Sequence, residues 1–440
     1  MPDRSPGAYP SWGRFPEAPP SRAVRPGWRH RLPHLDALAP VLPYGKGRSY
    51  GDACLNGGGT VLDTSGLHRL LAFDRETGVV RCEAGVTLGQ ILEVALPAGW
   101  FLPVTPGTKY VTVGGAIAHD VHGKNHHRAG TFGRFVPRLE LARSDGSVQE
   151  LTPDDALFSA TVGGLGLTGL ITWADVQLIP VGSPDILLRR ERFGRFEDFF
   201  ALSERAEAES AYVVAWIDAL SARGRGVLMQ GDHAPAVPAS GLPEPGGRLE
   251  PRLAAPLDAP GWALSRFSVR AFNEVYYRSQ TPITAPRRVG FDPFFYPLDQ
   301  VGAWNRLYGK RGFLQFQSVV PPAAGLDVTR AMLARIAEAG AASFLAVLKV
   351  FGDVPSPGLL SFPRPGVTLT LDLPHRGEQT LALVRTLNEM AIAAGGALYP
   401  AKDALMTPAQ YRASFPNLDA FTPHVDPAFS STFWRRVTGS

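Results

Sequence analysis

The stretch VTPGTKYVTVGGAIAHDVHGKNHHRAGTFG, Val104 to Gly133, constrains this chain more than any other. It combines paired glycines, small residues and four histidines in a pattern too irregular for a plain helix or strand. Gly114 and Gly115 lack a Cβ, so the backbone there can approach a ligand closely. Thr112 stands where it can cap the small-residue turn GGAIA and aim free N–H groups at a phosphate. His119, Asp120, His122, Asn125, His126 and His127 follow, polar groups suited to hydrogen-bonding a heteroaromatic ring. This composition is that of a cofactor loop.

A metal is a poorer reading of the same histidines. His122 and His126 have the i, i+4 spacing of a zinc helix, but Gly123 weakens a helix, no glutamate stands as in HExxH, and no third ligand is evident. Cys54 and Cys82 match neither a zinc motif nor a disulfide framework, and both read as reduced, buried small residues.

A second glycine-rich segment precedes this loop. Gly45, Gly47 and Gly51, with Arg48, Ser49 and Tyr50, form a nest of N–H groups beside a cation, suited to a pyrophosphate, although a tight turn between strands would look the same. A third segment, Gly164, Gly166 and Gly169, fits GxGxxG. A helical pattern precedes it and a strand follows, the reverse of a dinucleotide fold, so a ring-contacting loop is the better reading.

With 440 residues the chain can hold two or three domains. A net charge of +4 without a dense basic run gives nucleic-acid binding no support. No run of 18 apolar residues predicts a membrane span, and the proline-rich start lacks the apolar centre of a Sec signal, reading instead as an extended arm.

Short strands are predicted at 60–67, 68–74 and 79–85, a helix capped by Thr87, and a hairpin turned at Asp145–Gly146. From about Pro180 strands alternate with longer helices, expected at Phe196–Glu209, Val328–Ala339 and Gly377–Ala394. The stretch Val237–Pro260 reads as a mobile loop. In the strand GFLQFQSVV, Gln315 and Gln317 share a face. Thr368, Thr370 and Asp372 share one in GVTLTLDLP, and Lys349 interrupts an apolar strand. Either a polar pocket or open solvent would answer these residues. Near the end, Tyr399 and Lys402 lie in a polar turn, where burial would make the lysine pKa adjustable.

GKGRSYGD, PGTKYVTVGGAIAHDVHGKNHH, TVGGLGLTG, FYPLD with WNRLYG, FLQFQ, LKVFG, SFPRPG and LYPAKD, in this order, resemble the decaprenylphosphoryl-β-D-ribose 2-oxidase family of vanillyl-alcohol-oxidase-type flavoproteins. The resemblance implies an α+β fold: a two-part FAD-binding domain over 1–179, completed by 395–440, and an inserted cap of antiparallel sheet with helices over 180–394. It implies that Gly45, Gly47, Arg48, Ser49, Tyr50, Gly51, Asp52 and Ala53 wrap the pyrophosphate. Gly107, Thr112, Val113, Gly114, Gly115, His119, Asp120, Val121 and His122 would line FAD, with Ile171 and Tyr399. Lys402, His122 and Tyr50 would be catalytic, and Gln315, Gln317, Lys349, Thr370 and Lys402 would meet substrate.

The implied reaction oxidises a secondary sugar hydroxyl, at C2 of a polyprenyl-phosphoryl ribose. Lys402 or a water it orders would handle the proton, and an NAD-dependent reductase would complete epimerisation. The alternative is an FAD oxidase or dehydrogenase of a soluble polyol or aldonolactone. Arg48 stands where wider relatives carry a histidine that attaches FAD covalently, so FAD is expected to dissociate. Thr370 stands where some members carry a cysteine captured by nitroaromatic benzothiazinones. A lipid-linked substrate calls for a cytoplasmic protein or one peripheral to the inner membrane, yet no amphipathic anchor is obvious in the sequence.

Overall fold

The computed structural model describes residues 9–221, 223–236, 251, 253–341 and 343–439. Its α+β architecture rests on three sheets. Arg22–Val24, Thr60–Asp63 and Val41–Tyr44 form a parallel one, with the middle strand in sequence at its edge. Five antiparallel strands follow in the order Leu70–Asp74, Val79–Glu83, Leu170–Gln177, Arg138–Ala142, Val148–Leu151. The largest sheet is antiparallel throughout and runs Ile283–Val289, Ile186–Phe193, Gly226–His233, Tyr212–Ile217, Ala346–Phe351, Gly366–Pro374, Phe313–Val320, Ala397–Leu398.

Local chemistry sets the elements. The predicted helix after Thr87 spans Leu88–Ala95, closed by a reciprocal capping box in which Gln90 N donates to Thr87 Oγ1 (3.3 Å) and Thr87 N donates to the Gln90 side chain (2.9 Å). Gly146 turns the hairpin at φ +84°. The helix expected from Val328 begins earlier, at Pro322, because proline is favourable in the first helical turn, where its missing N–H costs nothing. It and Glu378–Ala393 bury Met332, Leu333, Ile336, Val384 and Leu387 against the large sheet. A second core gathers Leu88, Ile91, Leu92, Ala116 and Ile117 against the five-stranded sheet.

The arm is docked rather than loose: Tyr9 packs edge-on to Tyr44, and Phe313 N donates to Gly13 O (2.9 Å). The loop expected over 237–260 lies in part outside the described residues. Within its later part Leu253–Ala254 pairs with Val301–Gly302. Cys82 is buried, but Cys54 is only half-buried, at a cavity wall. No helix among the described residues is long and apolar enough to cross a membrane.

Candidate active site

A cavity of about 370 Å³ separates the glycine loops from the large sheet, a volume within the usual range for small-molecule sites. One wall is made of backbone. Gly47 has φ +60°, and the Tyr44 hydroxyl, which donates to Pro10 O (2.7 Å), fills the place of its Cβ. A Cβ on Gly45 would stand 2.4 Å from Thr112 Oγ1, so the two glycine loops touch. Thr112 caps the short helix Val113–Ala118 by accepting from Gly115 N (3.2 Å). Leu165, Gly166, Gly169 and Ile171 complete this wall, with φ positive at 165, 166 and 169.

The C-terminal return is fastened to the same wall. Tyr50 N donates to Ala401 O (2.8 Å), and Gly51 lies so close to Asp403 that a Cβ would stand 1.6 Å from its carbonyl oxygen. Arg436 bridges Asp52 (2.7 and 2.8 Å) and Asp403 (2.8 Å). These contacts hold Lys402 with its ammonium nitrogen 3.8 Å from the centre of the Tyr50 ring.

The opposite wall is made of side chains. Strand register pairs Gln315 with Asp372, Gln317 with Thr370 and Lys349 with Thr368, so the alternation seen in sequence delivers them to one face. Gln315, Gln317, Lys349 and Thr370 face the cavity rather than solvent. Lys349 Nζ lies 3.2 Å from His122 Nδ1 and the Gln317 amide 3.0 Å from His122 Nε2. Asp372 accepts from Gln315 and from the Tyr308 hydroxyl (3.3 Å).

Burial dominates the electrostatics of this wall. It pulls Lys349 down to about 8 and Lys402 well below the ordinary lysine range, with Asp372 opposing and Lys349 reinforcing the shift. It pushes the Asp372 carboxyl up, against the pull of Gln315 and Lys402. His122 is driven well below its ordinary value by burial and by Lys349, and is therefore neutral. His119 falls to about 4 through burial and the charge of Lys402. Burial raises Tyr50 far above 10, so its phenol keeps its proton.

Of the residues singled out in sequence, Gly45, Gly47, Arg48, Ser49, Tyr50, Ala53, Gly107, Thr112, Gly114, Gly115, His119, Val121, His122, Ile171, Gln315, Gln317, Lys349, Thr370, Tyr399 and Lys402 are brought to the cavity. Gly51, Asp52, Val113 and Asp120 are not. Asp52 serves the Arg436 bridge, and Val113 is wholly buried in the second core. Asp120 turns inward to accept from Gly133 N (2.8 Å) and Ser361. His122 and His126 share no helix, since only His126–Ala129 is helical.

Trp12, Lys124, Trp216 and Tyr276 also line the cavity and carried no signal of their own in the sequence. Trp12 stacks on Arg48, with 3.9 Å from guanidinium carbon to ring centre. Among the described residues no group of three or more His, Cys, Asp or Glu is placed to hold a metal ion.

The fit to a flavin nucleotide is testable on the lining itself. Arg48 Nε and His119 Nδ1 are buried without a protein partner, and a Cβ at Gly107 would meet nothing within 4 Å. A long cofactor rich in hydrogen-bonding atoms answers both observations. Comparison with known proteins agrees. Residues 36–152 match an FAD binding domain family. The chain is 38% identical over 413 residues to decaprenylphosphoryl-beta-D-ribose oxidase of Mycolicibacterium smegmatis, covering 90% of this chain and 89% of that protein. It is 37% identical over 372 residues to an uncharacterized protein of the mprA 5′ region of Streptomyces coelicolor, covering 80% of this chain and 100% of that one. D-lactate dehydrogenase of Anaerostipes hadrus is 28% identical over 149 residues, 32% of this chain and 31% of that protein. The chain is an FAD-dependent oxidoreductase and belongs to the decaprenylphosphoryl-β-D-ribose oxidase family.

Proposed function

We propose that this protein oxidises C2 of a polyprenyl-phosphoryl-β-D-ribose to the 2-keto sugar, the first half of an epimerisation to arabinose. The observation that carries the reading is the polar lining of the cavity: on the C-terminal return beside the glycine loops stands a lysine shifted toward its neutral form, with a second lysine on the facing sheet and an apolar end beyond. Residues 1–179 with 395–440 form the FAD unit in this reading, and 180–394 the cap. FAD supplies the two-electron acceptor when bound.

The chain supplies the proton chemistry and the positioning. Lys402 Nζ, neutral in part near pH 7, takes the proton of the carbinol hydroxyl. Asp372 and Tyr50 hold that amine in place. Lys349 meets the phosphate, and neutral His122 with Gln317 fixes the direction of Lys349. Val214, Trp216, Met229 and Val347 line an apolar end for the first prenyl units. A separate NAD-dependent short-chain reductase then consumes the keto sugar, and the enzyme works at the membrane periphery, where lipid-linked sugars reside.

Anaerobic titration of the yellow protein with a polyprenyl-phosphoryl ribose tests the reading. Bleaching of the flavin band is expected. Bleaching by soluble polyols or aldonolactones instead would overturn the substrate assignment. With Arg48 in place of an attachment residue, FAD is held non-covalently, and acid precipitation should leave the colour in the supernatant.

A further inference from the structure

Next to the apolar end of the cavity lies a surface that the proposed reaction does not use. Ten large apolar side chains are exposed among the described residues, and six of them, Leu253, Leu257, Trp262, Phe267, Phe272 and Val275, fall between positions 253 and 275. Single exposed apolar residues need no explanation, but a contiguous group does.

The helix Arg266–Ser279 carries apolar side chains outward as well as inward. Its inward side carries Val269 and Asn273, the latter buried and donating to Asp218 (2.7 Å). Its outward side carries Phe267, 82% exposed, and Val275, 69% exposed, about two turns apart. Trp262, 77% exposed, stands just before it. A helix packed only against its own protein would not turn apolar residues of this size outward.

Charge narrows the choice of partner. Residues 253–280 contain two acids, Asp258 and Glu274. Asp258 is paired with Arg14 (2.7 Å), and Glu274 with Arg225 (2.6 Å) and Arg278 (2.5 Å). Arg266 and Arg270 stay exposed on the same helix. A second copy of this chain meeting the face about a two-fold axis would set arginines against arginines, which is unfavourable. An anionic surface with an apolar interior is complementary to both features.

We propose that Trp262, Phe267, Val275 and the flanking Leu253 and Leu257 form a docking face for an anionic phospholipid bilayer. Arg266 and Arg270 sit at its headgroups, and the aromatic rings at the boundary with the acyl chains. The face is continuous with the cavity: Phe272 stacks on Tyr276 with ring centres 6.0 Å apart, and Tyr276 lies 4.8 Å from Trp216, both of them cavity residues. The proposal rests on the lipid-linked reading of the substrate and specifies where such a substrate leaves the membrane.

Co-sedimentation of the full-length, FAD-loaded protein with vesicles tests it without any turnover. Binding to equimolar phosphatidylglycerol and phosphatidylcholine is expected, with much weaker binding to phosphatidylcholine alone. The double variant Phe267→Asp, Val275→Asp should bind at least about tenfold less tightly, and Arg266→Glu or Arg270→Glu about fivefold less, each with an unchanged flavin spectrum. Absence of vesicle binding, equal binding by the double variant, or a dimer that Phe267→Asp converts to monomer would overturn the proposal. Should vesicles fail to bind while a short-chain, soluble prenyl-phosphoryl ribose still bleaches the flavin, the docking face falls and the chemistry stands. Vesicle binding without bleaching by any ribose would leave the face standing and the substrate reading refuted.

Discussion

The two walls of the cavity face the same space and are built on opposite principles. The wall around Gly45, Gly47, Thr112 and Gly115 presents main chain, and its side chains serve chiefly to let backbone segments come close. The wall around Gln315, Gln317, Lys349, Thr370 and Asp372 presents side chains on a regular antiparallel ladder, with pKa values moved by burial. A large cofactor common to many enzymes can be held by groups every residue possesses. A particular substrate must be met by groups that few residues possess. Substitutions should therefore act differently on the two walls: steric changes at the first should cost cofactor and stability together, and chemical changes at the second should cost turnover with the flavin still in place.

Lys402→Ala is the sharpest break of this comparison. Lys402 reaches the cavity from the C-terminal return, and its loss removes the proposed proton acceptor while leaving the glycine loops intact. Flavin content should be unchanged, and the rate of flavin reduction by substrate should fall about a thousandfold. Rapid-mixing absorbance measures both. Equal reduction rates would show that proton removal does not pass through this amine.

Gly51→Ala tests the backbone wall. The new methyl would meet the Asp403 carbonyl oxygen, a backbone atom that can move only by displacing the Lys402 turn. A destabilisation of about 1–3 kcal/mol is expected in thermal melts, with partial loss of flavin and slower turnover together. Loss of turnover with normal melting and full flavin would mean that the two walls are less distinct than their construction implies.

The glycine wall was largely legible in the sequence because its information is local. A capping threonine, a paired glycine and a histidine cluster each say what the backbone does within a few residues. The side-chain wall was legible by alternation, which places Gln315 with Gln317 and Thr368 with Thr370 on shared faces, but period-two patterning does not say which face is buried. Lys402 and Tyr399 stood out as members of a polar turn, but their place at the cavity came only from family resemblance, since no local pattern brings a C-terminal turn to a loop near residue 50.

Other features were hidden for physical reasons. Gly51, Asp52, Val113 and Asp120 sit in the right loops, yet turn direction within a loop depends on tertiary contacts such as Arg436 to Asp52. Trp12 belongs to an arm whose prolines dictate extension but not destination. The helix Arg266–Ser279 escaped notice because apolar residues lie on its outward side too and its inward side includes Asn273, which blurs the single stripe by which core helices are recognised.

The pH dependence sharpens the side-chain wall. Lys349 keeps its charge below about 8, the value to which burial lowers it. The group is a cation, so its lowered pKa means that attraction for a phosphorylated substrate is present at neutral pH and fades as the pH rises through about 8. Accordingly kcat/KM for a prenyl-phosphoryl ribose should fall by up to about tenfold between neutrality and pH 9, whereas a neutral sugar alcohol should show no such decline. Lys349→Met should flatten the first profile. Parallel profiles for the two substrates would assign the phosphate to other groups.

Thr370 predicts the smallest change in turnover and the clearest gain in chemistry. It is half-buried in the cavity wall, opposite Gln317 and Val347 in register. A hydroxyl there is a poor nucleophile, so a nitroaromatic benzothiazinone should leave the native protein at its unmodified mass. Thr370→Cys exchanges one small side chain for another and should alter kcat by no more than about threefold. The charge of Lys349, on the neighbouring strand, favours its thiolate, and the variant should acquire a stable adduct located by mass spectrometry. An adduct on the native chain, or none on the variant, would show that the reactive centre of the inhibitor does not lie against this strand.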